Sequence, residues 1–124
     1  MTINMNSDTV KTAWAHLGAG EFDALAGLYA EEMTFALPGQ ADELHGRSAF
    51  RSALDQISDA LPPGFDVKDL RYFEADGEVV NIVEWTSKSI PDGTQSAILW
   101  KFDSDGKITE ERWFVDTEQW KAAF

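Results

Sequence analysis

The strand-like run near the end of the chain, residues 107–116, combines charged and aromatic side chains. Side chains alternate between the two faces of a strand, so Glu111 and Trp113 share one face. We interpret that face as the wall of an apolar pocket, where a carboxylate beside an indole has a raised pKa. Glu111 is therefore the leading candidate for a general base. The alternative is that Glu111 lies nearer the rim, exposed or paired with Lys107 or Arg47.

The same alternation divides the rest of this run between two faces. Thr109 and Val115 are predicted to face inward with Glu111 and Trp113. The opposite, outer face is predicted to carry Ile108, Glu110, Arg112 and Phe114. An exposed aromatic strand surface favours a two-fold partner, so we expect a homodimer formed through the outer face of the sheet.

His45 is a second candidate for proton transfer, because imidazole titrates near neutral pH. It precedes Gly46 where a helix begins, so the alternative is that a ring nitrogen only caps the backbone. Tyr29 could donate its O–H to a ligand or to a neighbouring helix or strand. Alternation along the strand places Asp116 on the outer face, opposite to Trp113. We therefore interpret Asp116 as the N-cap of a short C-terminal helix rather than as a catalytic acid.

The residues predicted to contact a ligand are mostly apolar and aromatic, as in small-molecule sites generally. They are Ala13, Leu17, Tyr29, Leu37, Leu54, Asn81, Trp85, Ile98, Trp100 and Trp113. The three strand tryptophans could stack on a flat polycyclic ligand or simply fill the core. The set predicts a small hydrophobic molecule as partner.

Composition excludes several classes of function. The 124 residues carry a formal net charge of −12 and no cysteine. The charge disfavours nucleic acid and anionic membranes, and the absence of cysteine excludes disulfides and thiolate chemistry. Two distant histidines provide no metal-ligand spacing, and an EF-hand aligned on Gly106 would place Lys101 and Arg112 at ligand positions. We therefore expect no metal and no cofactor, in a cytoplasmic protein without a membrane helix or secretory signal.

Hydrophobic periodicity predicts helices first and an antiparallel meander afterwards, which is an α+β arrangement in one domain, residues 1–124. Ser7 is a candidate N-cap for a first helix, and Leu28 and Tyr29 fall on the apolar face of a second. Strands are predicted at residues 33–37, 65–73, 78–87, 96–102 and 107–116. A third helix is predicted at residues 47–61 and a short C-terminal helix at residues 116–124.

Five short motifs, in order, resemble the nuclear transport factor 2-like superfamily. They are Gly20-Glu21-Phe22-Asp23, Leu28-Tyr29-Ala30, Leu44-His45-Gly46-Arg47, Asp105-Gly106-Lys107-Ile108 and the closing Asp116. Within it the chain is most similar to SnoaL-like polyketide cyclases and ketosteroid isomerase-like proteins. The resemblance implies a cone in which three N-terminal helices pack in the concave face of a strongly curved, mainly antiparallel sheet.

The chain departs from these relatives where they keep catalytic groups. The resemblance places the isomerase base at Leu37 and its oxyanion pair at Ala13 and Ile98. It places the working aspartate of cyclases and limonene-epoxide hydrolases at Trp113. Direct transfer of these activities is therefore not supported. Three functions stay open: an isomerase, cyclase or lyase acting on a hydrophobic carbonyl compound, a binding protein without turnover, and a dimeric module whose own side chains fill the cone.

Overall fold

The computed structural model describes residues 6–37, 43–57 and 61–124. Three helices and two strands come first: α1 (Asn6–Ala19), α2 (Phe22–Ala26), β1 (Tyr29–Ala36), β2 (Leu44–His45) and α3 (Arg47–Leu54). Four strands and a short helix follow: β3 (Asp66–Ala75), β4 (Glu78–Thr86), β5 (Thr94–Phe102), β6 (Ile108–Phe114) and α4 (Thr117–Ala122). The predicted α+β class is confirmed.

The six described strands form one sheet in the order β2-β1-β6-β5-β4-β3. Strands β3 to β6 are a meander of antiparallel neighbours, whereas β1 pairs with β6 in parallel. Helix α1 packs against β3 and β4, and α3 packs against β1. The helices thus cover one face of a mainly antiparallel sheet, which agrees with the expected cone.

Alternation along the meander decides which side chains face the helices. On β4 the buried side chains are Val79, Asn81, Val83 and Trp85. On β5 they are Ser96, Ile98, Trp100 and Phe102. The residues of these two strands that were predicted to contact a ligand all lie on the inner faces, because each strand has one face on the core and one on the outside; they are Asn81, Trp85, Ile98 and Trp100.

Tyr29 lies on a strand and not on the second helix. Helix α2 ends at Ala26, and the backbone N–H of Gly27 donates to the carbonyl of Asp23. From Tyr29 the chain is extended and pairs with Ile108 of β6. The predicted second helix was therefore too long and the first strand, predicted from Met33, too short. Pairing with a strand some 80 residues away cannot be seen in local periodicity.

Ile108 was predicted to face outward, and this was wrong. It is completely buried. In the β5–β6 pairing Lys101 is opposite Glu110 and Phe102 is opposite Ile108, so Thr109 is an extra residue. A bulge of this kind reverses the alternation on one side of itself, which brings Ile108 to the same face as Glu111.

Several predicted boundaries also shifted. Asn6 is already helical, so Ser7 lies inside α1 and is not its N-cap. Helix α3 ends at Leu54, and Leu61 lies outside it, beyond residues 58–60, which are not described. At the other end Asp116 caps α4 as predicted, because its carboxylate accepts from the backbone N–H groups of Glu118 and Gln119.

Within the described ranges, no helix has the length and apolarity needed to cross a membrane.

Candidate functional site: a cavity with a buried carboxyl group

A cavity of about 730 Å³ lies between the helices and the sheet. Most of its wall is apolar, with side chains from all of α1, α2 and α3. Aromatic rings contribute a large part of that wall: Trp14, Phe22, Tyr29, Phe35, Phe50, Phe65, Trp100 and Trp113. This volume and lining suit a small hydrophobic molecule.

Glu111 is the buried acidic group of this cavity. Strand β6 places it on the inner face, where 5 % of the residue is exposed. The Tyr29 hydroxyl donates to its Oε1, and the Trp113 indole N–H donates to its Oε2 at 2.7 Å. Burial raises the pKa of Glu111 to about 7, while the two hydrogen bonds oppose this rise. A carboxyl group with this pKa changes its charge near neutral pH.

Tyr29 reaches Glu111 because β1 and β6 are neighbours in the sheet. Its ring is fixed against Phe50 of α3, with ring centroids 4.5 Å apart. Burial, the charge of Glu111 and the hydrogen bond to it raise the pKa of Tyr29 well above its usual value. Tyr29 thus stays protonated and acts as a donor to Glu111.

Trp113 is held in place by a second indole. The ring of Trp14, on α1, meets both Trp113 and Trp100 edge to face, with centroids 6.1 Å apart in each pair. The Trp14 N–H donates to Asn81 Oδ1 at 3.0 Å. The buried N–H of Trp100 finds no acceptor among the described residues.

The sequence profile of the SnoaL-like domain matches residues 10–111, most of the chain. This chain belongs to the SnoaL-like domain family. No curated protein matches it at a significant level.

Solved structures show the same fold. A nuclear transport factor 2-like protein of unknown function from Cytophaga hutchinsonii has a TM-score of 0.73 and 18% identity, covering 95% of this chain and 96% of its own. A candidate polyketide cyclase from Xanthomonas campestris pv. campestris has a TM-score of 0.68 and 17% identity over 95% of each chain. TerC, co-crystallised with polyporic acid, has a TM-score of 0.78 and 16% identity, with coverages of 95% and 96%. At these identities the likeness concerns the fold.

The cavity of this SnoaL-like domain brings together most of the residues predicted from sequence. Those that line it are Ala13, Leu17, Tyr29, Leu37, Leu54, Trp100, Glu111 and Trp113. Asn81, Trp85 and Ile98 face inward as predicted but do not line it, and His45 lies outside it.

Trp85 belongs to a separate hydrophobic cluster. Its ring contacts Trp120 of α4 at 5.4 Å and Phe65 at 5.7 Å between centroids, and its N–H donates to Ser96 Oγ at 2.9 Å. The C-terminal helix therefore covers the Trp85 end of the inner face. Ile98 is completely buried in the main core, and Asn81 is buried in a hydrogen-bond network.

His45 was proposed for proton transfer, and its position does not support that role. In the β1–β2 pairing Leu44 is opposite Phe35, and both line the cavity. Alternation turns His45 to the other face, where its side chain is 71% exposed and 3.9 Å from Glu43. It could reach a ligand in the cavity only after a rearrangement of β2.

Sequence reasoning missed Trp14, Phe65 and Asp69 as wall residues. Trp14 had a visible signal, since it follows Ala13 in the apolar pattern of α1. No sequence signal indicated Asp69, because it lies beside a shift in the β3–β4 register between Asp69 and Arg71. Among the described side chains, no group of three or more histidine, aspartate or glutamate residues is placed to hold a metal ion.

Proposed function

We propose that this SnoaL-like domain binds a small hydrophobic carbonyl compound in the cavity and that Glu111 moves a proton on it. The observation that carries the proposal is the burial of one carboxyl group, facing the cavity, whose pKa is raised to about 7. The reaction class is an isomerisation, cyclisation or elimination. The structural likeness to the candidate polyketide cyclase is consistent with this class.

The chemistry follows from the two ionisation states of Glu111. Ionised Glu111 accepts a proton from a carbon next to the carbonyl group, and the electron pair of that C–H bond delocalises onto the carbonyl oxygen. The resulting carboxylic acid then returns the proton to another atom of the same molecule. Tyr29 and Trp113 each donate to one oxygen of Glu111, so they orient the carboxyl group during both steps.

The proposed base is displaced from the position used by the cyclases this chain resembles. The resemblance places their aspartate at Trp113, and Glu111 lies two residues earlier on the same face of β6. Two residues of a strand span roughly 7 Å, so the base attacks a different part of a bound molecule. The indole at the relatives' position binds the displaced carboxylate.

Proton abstraction from 5-nitrobenzisoxazole tests the base without knowledge of the natural substrate. We expect a saturable rate that rises with pH through a midpoint near 7. Glu111→Gln keeps the side-chain shape but removes the base, so its rate should fall by about a hundredfold or more. Glu110→Gln is the matched control, because Glu110 lies on the outer face beside Arg112. Equal rates in Glu111→Gln and wild type would contradict the proposal.

A binding protein without turnover is the second candidate. It is favoured by the side chains at Leu37, Ile98 and Trp113, because the resemblance assigns the relatives' acids to these positions and none of the three side chains can replace a carboxyl group. This function predicts that a bound molecule leaves the cavity unchanged and that Glu111→Gln hardly alters affinity. The size of the cavity gives no support to a module whose own side chains fill the cone.

We also propose that two copies associate through the outer face of the sheet. The strand register places Phe73, Val80, Leu99 and Arg112 in one row across that face. The next row is Arg71, Ile82, Ala97 and Phe114, so each row is apolar except for an arginine at one end. Phe73 and Phe114 are each 54% exposed, so the rows form an apolar surface suited to a second copy.

A further inference from the structure

A second carboxylate, Asp69, lies on the wall of the cavity. Its Oδ1 accepts from the side-chain amide of Asn81 at 2.8 Å, and its Oδ2 accepts from the Tyr72 hydroxyl. Asn81 is completely buried and also donates to the carbonyl of Arg71. Asp69 itself is exposed. Its carboxylate is held in place by Asn81 and Tyr72 and is also accessible to a molecule bound in the cavity.

The Asp69 carboxylate and Glu111 belong to two different polar ends of the cavity. The Trp14 N–H donates to Asn81, the residue that holds Asp69. The Trp14 ring packs edge to face on Trp113, whose N–H donates to Glu111. Two adjacent indoles therefore separate the ends. The two rings are inclined by 76°, so a molecule that extends past both of them from one end to the other would meet one carboxyl group at each end.

The charges of the wall have one sign. Its ionisable acids are Asp66, Asp69 and Glu111, and no lysine, arginine or histidine occurs among the described residues that line the cavity. The cation of Lys11 lies over the Tyr72 ring, 5.0 Å from its centroid, on the side of the network and not in the wall. An anionic group entering the cavity would meet carboxylates without a partner cation, which is unfavourable.

We propose that Asp69 is a specificity-determining residue that accepts a hydrogen bond from a hydroxyl or ammonium group at the end of the ligand remote from Glu111. The cavity then selects neutral or cationic aromatic molecules over those that carry a carboxylate. This inference rests on the proposed function, because it assumes that the cavity binds a small hydrophobic molecule. Asn81 and Tyr72 are positioning residues for Asp69.

Three probes with one aromatic frame test the selection: 4-hydroxybiphenyl, 4-methoxybiphenyl and biphenyl-4-carboxylate. Their affinities are measured by titration calorimetry at pH 7.5. A hydrogen bond to a partly solvated carboxylate should favour the hydroxyl probe over the methoxy probe by about fivefold. Biphenyl-4-carboxylate should bind at least about tenfold more weakly than the hydroxyl probe.

Asp69→Asn should reduce the preference for hydroxyl over methoxy to within about twofold and strengthen binding of the carboxylate probe. Asp66→Asn is the matched control, since Asp66 is an exposed aspartate on the same strand and the same wall. It should preserve the preference for hydroxyl over methoxy.

The outcomes separate this inference from the function on which it rests. If the preference for hydroxyl persists in Asp69→Asn and disappears in Glu111→Gln, then Glu111 binds the donor and the role of Asp69 is overturned. Tighter binding of biphenyl-4-carboxylate than of the other probes would also overturn it. Failure of all three probes to bind the wild-type protein would overturn this inference, whereas the absence of a Glu111-dependent rate with 5-nitrobenzisoxazole would contradict the proposed function itself.

Discussion

At the scale of single residues, the ionisation of Glu111 is decided by a competition. Burial removes the carboxylate from water and disfavours its charge, whereas Tyr29 and Trp113 donate hydrogen bonds that favour it. Burial is the larger effect, so the pKa of Glu111 rises to about 7. Removing either donor should raise it further, because only the favourable contribution is lost.

Tyr29→Phe tests this competition. The variant keeps the ring against Phe50 and removes the hydroxyl that donates to Glu111. We expect the pKa of Glu111, and with it the midpoint of the proton-abstraction rate, to rise by about one pH unit. At pH 7 a smaller fraction of the variant then has its base ionised.

The indole N–H resonances provide a direct measurement and an internal control. The Trp113 signal should follow the titration of Glu111, while that of Trp85, which donates to Ser96, should not. A midpoint that stays near 7 or falls in Tyr29→Phe would contradict the assigned role of the hydroxyl.

At the scale of elements, α4 sets one end of the cavity. The Asp116 carboxylate caps the helix, and Trp120 packs against Trp85 and Phe65. Phe65 in turn packs against Trp113, with ring centroids 6.3 Å apart. The C-terminal helix thereby supports the wall of the cavity without lining it. Asp116 contributes to this support by capping the helix.

Asp116→Ala should lower the free energy of unfolding by about 1 kcal/mol, because two N-terminal backbone N–H groups of α4 lose their acceptor. Asp116→Asn should retain most of that stability, since asparagine is also a good N-cap. Urea unfolding followed by tryptophan fluorescence measures both. If the two variants lose the same stability, capping is not the role of Asp116.

At the scale of the whole molecule, the sheet separates two surfaces. Its inner face bears the cavity, and its outer face carries the apolar rows that contain Phe73 and Phe114. The proposed homodimer would cover those rows and leave the cavity of each copy intact, because the two surfaces lie on opposite faces of the same strands.

Sedimentation at micromolar concentration tests the association. We expect a dimer for the wild type, and about a tenfold or greater weakening of the dimer in Phe114→Asp, since burying an unpaired charge in an apolar interface is strongly unfavourable. Phe124→Asp is the matched control, because Phe124 is 60% exposed but lies against Trp120 at the C-terminus. A monomeric wild type would refute the dimer.

Local patterns alone identified much of the architecture. Most of the order of helices and strands follows from periodicity and from breakers such as Gly20, which follows the end of α1. The inner faces of β4 and β5 follow from simple alternation, and the N-cap at Asp116 from its side chain. Glu111 was also found in this way, because one face of one strand suffices to place it beside Trp113.

The tertiary structure decided what depends on distant residues. Tyr29 and Glu111 are 82 positions apart, and their hydrogen bond exists only because β1 inserts beside β6. Each of two register shifts adds one residue to a strand and reverses the alternation of its side chains. For this reason the sequence pattern did not predict the burial of Ile108 or the position of Asp69 on the cavity wall. Trp85 packs against Trp120 of α4 and therefore does not line the cavity. The residue types in this chain determined that a carboxyl group and indoles would share a face, whereas packing alone decided the partners, the burial and hence the pKa of that carboxyl group.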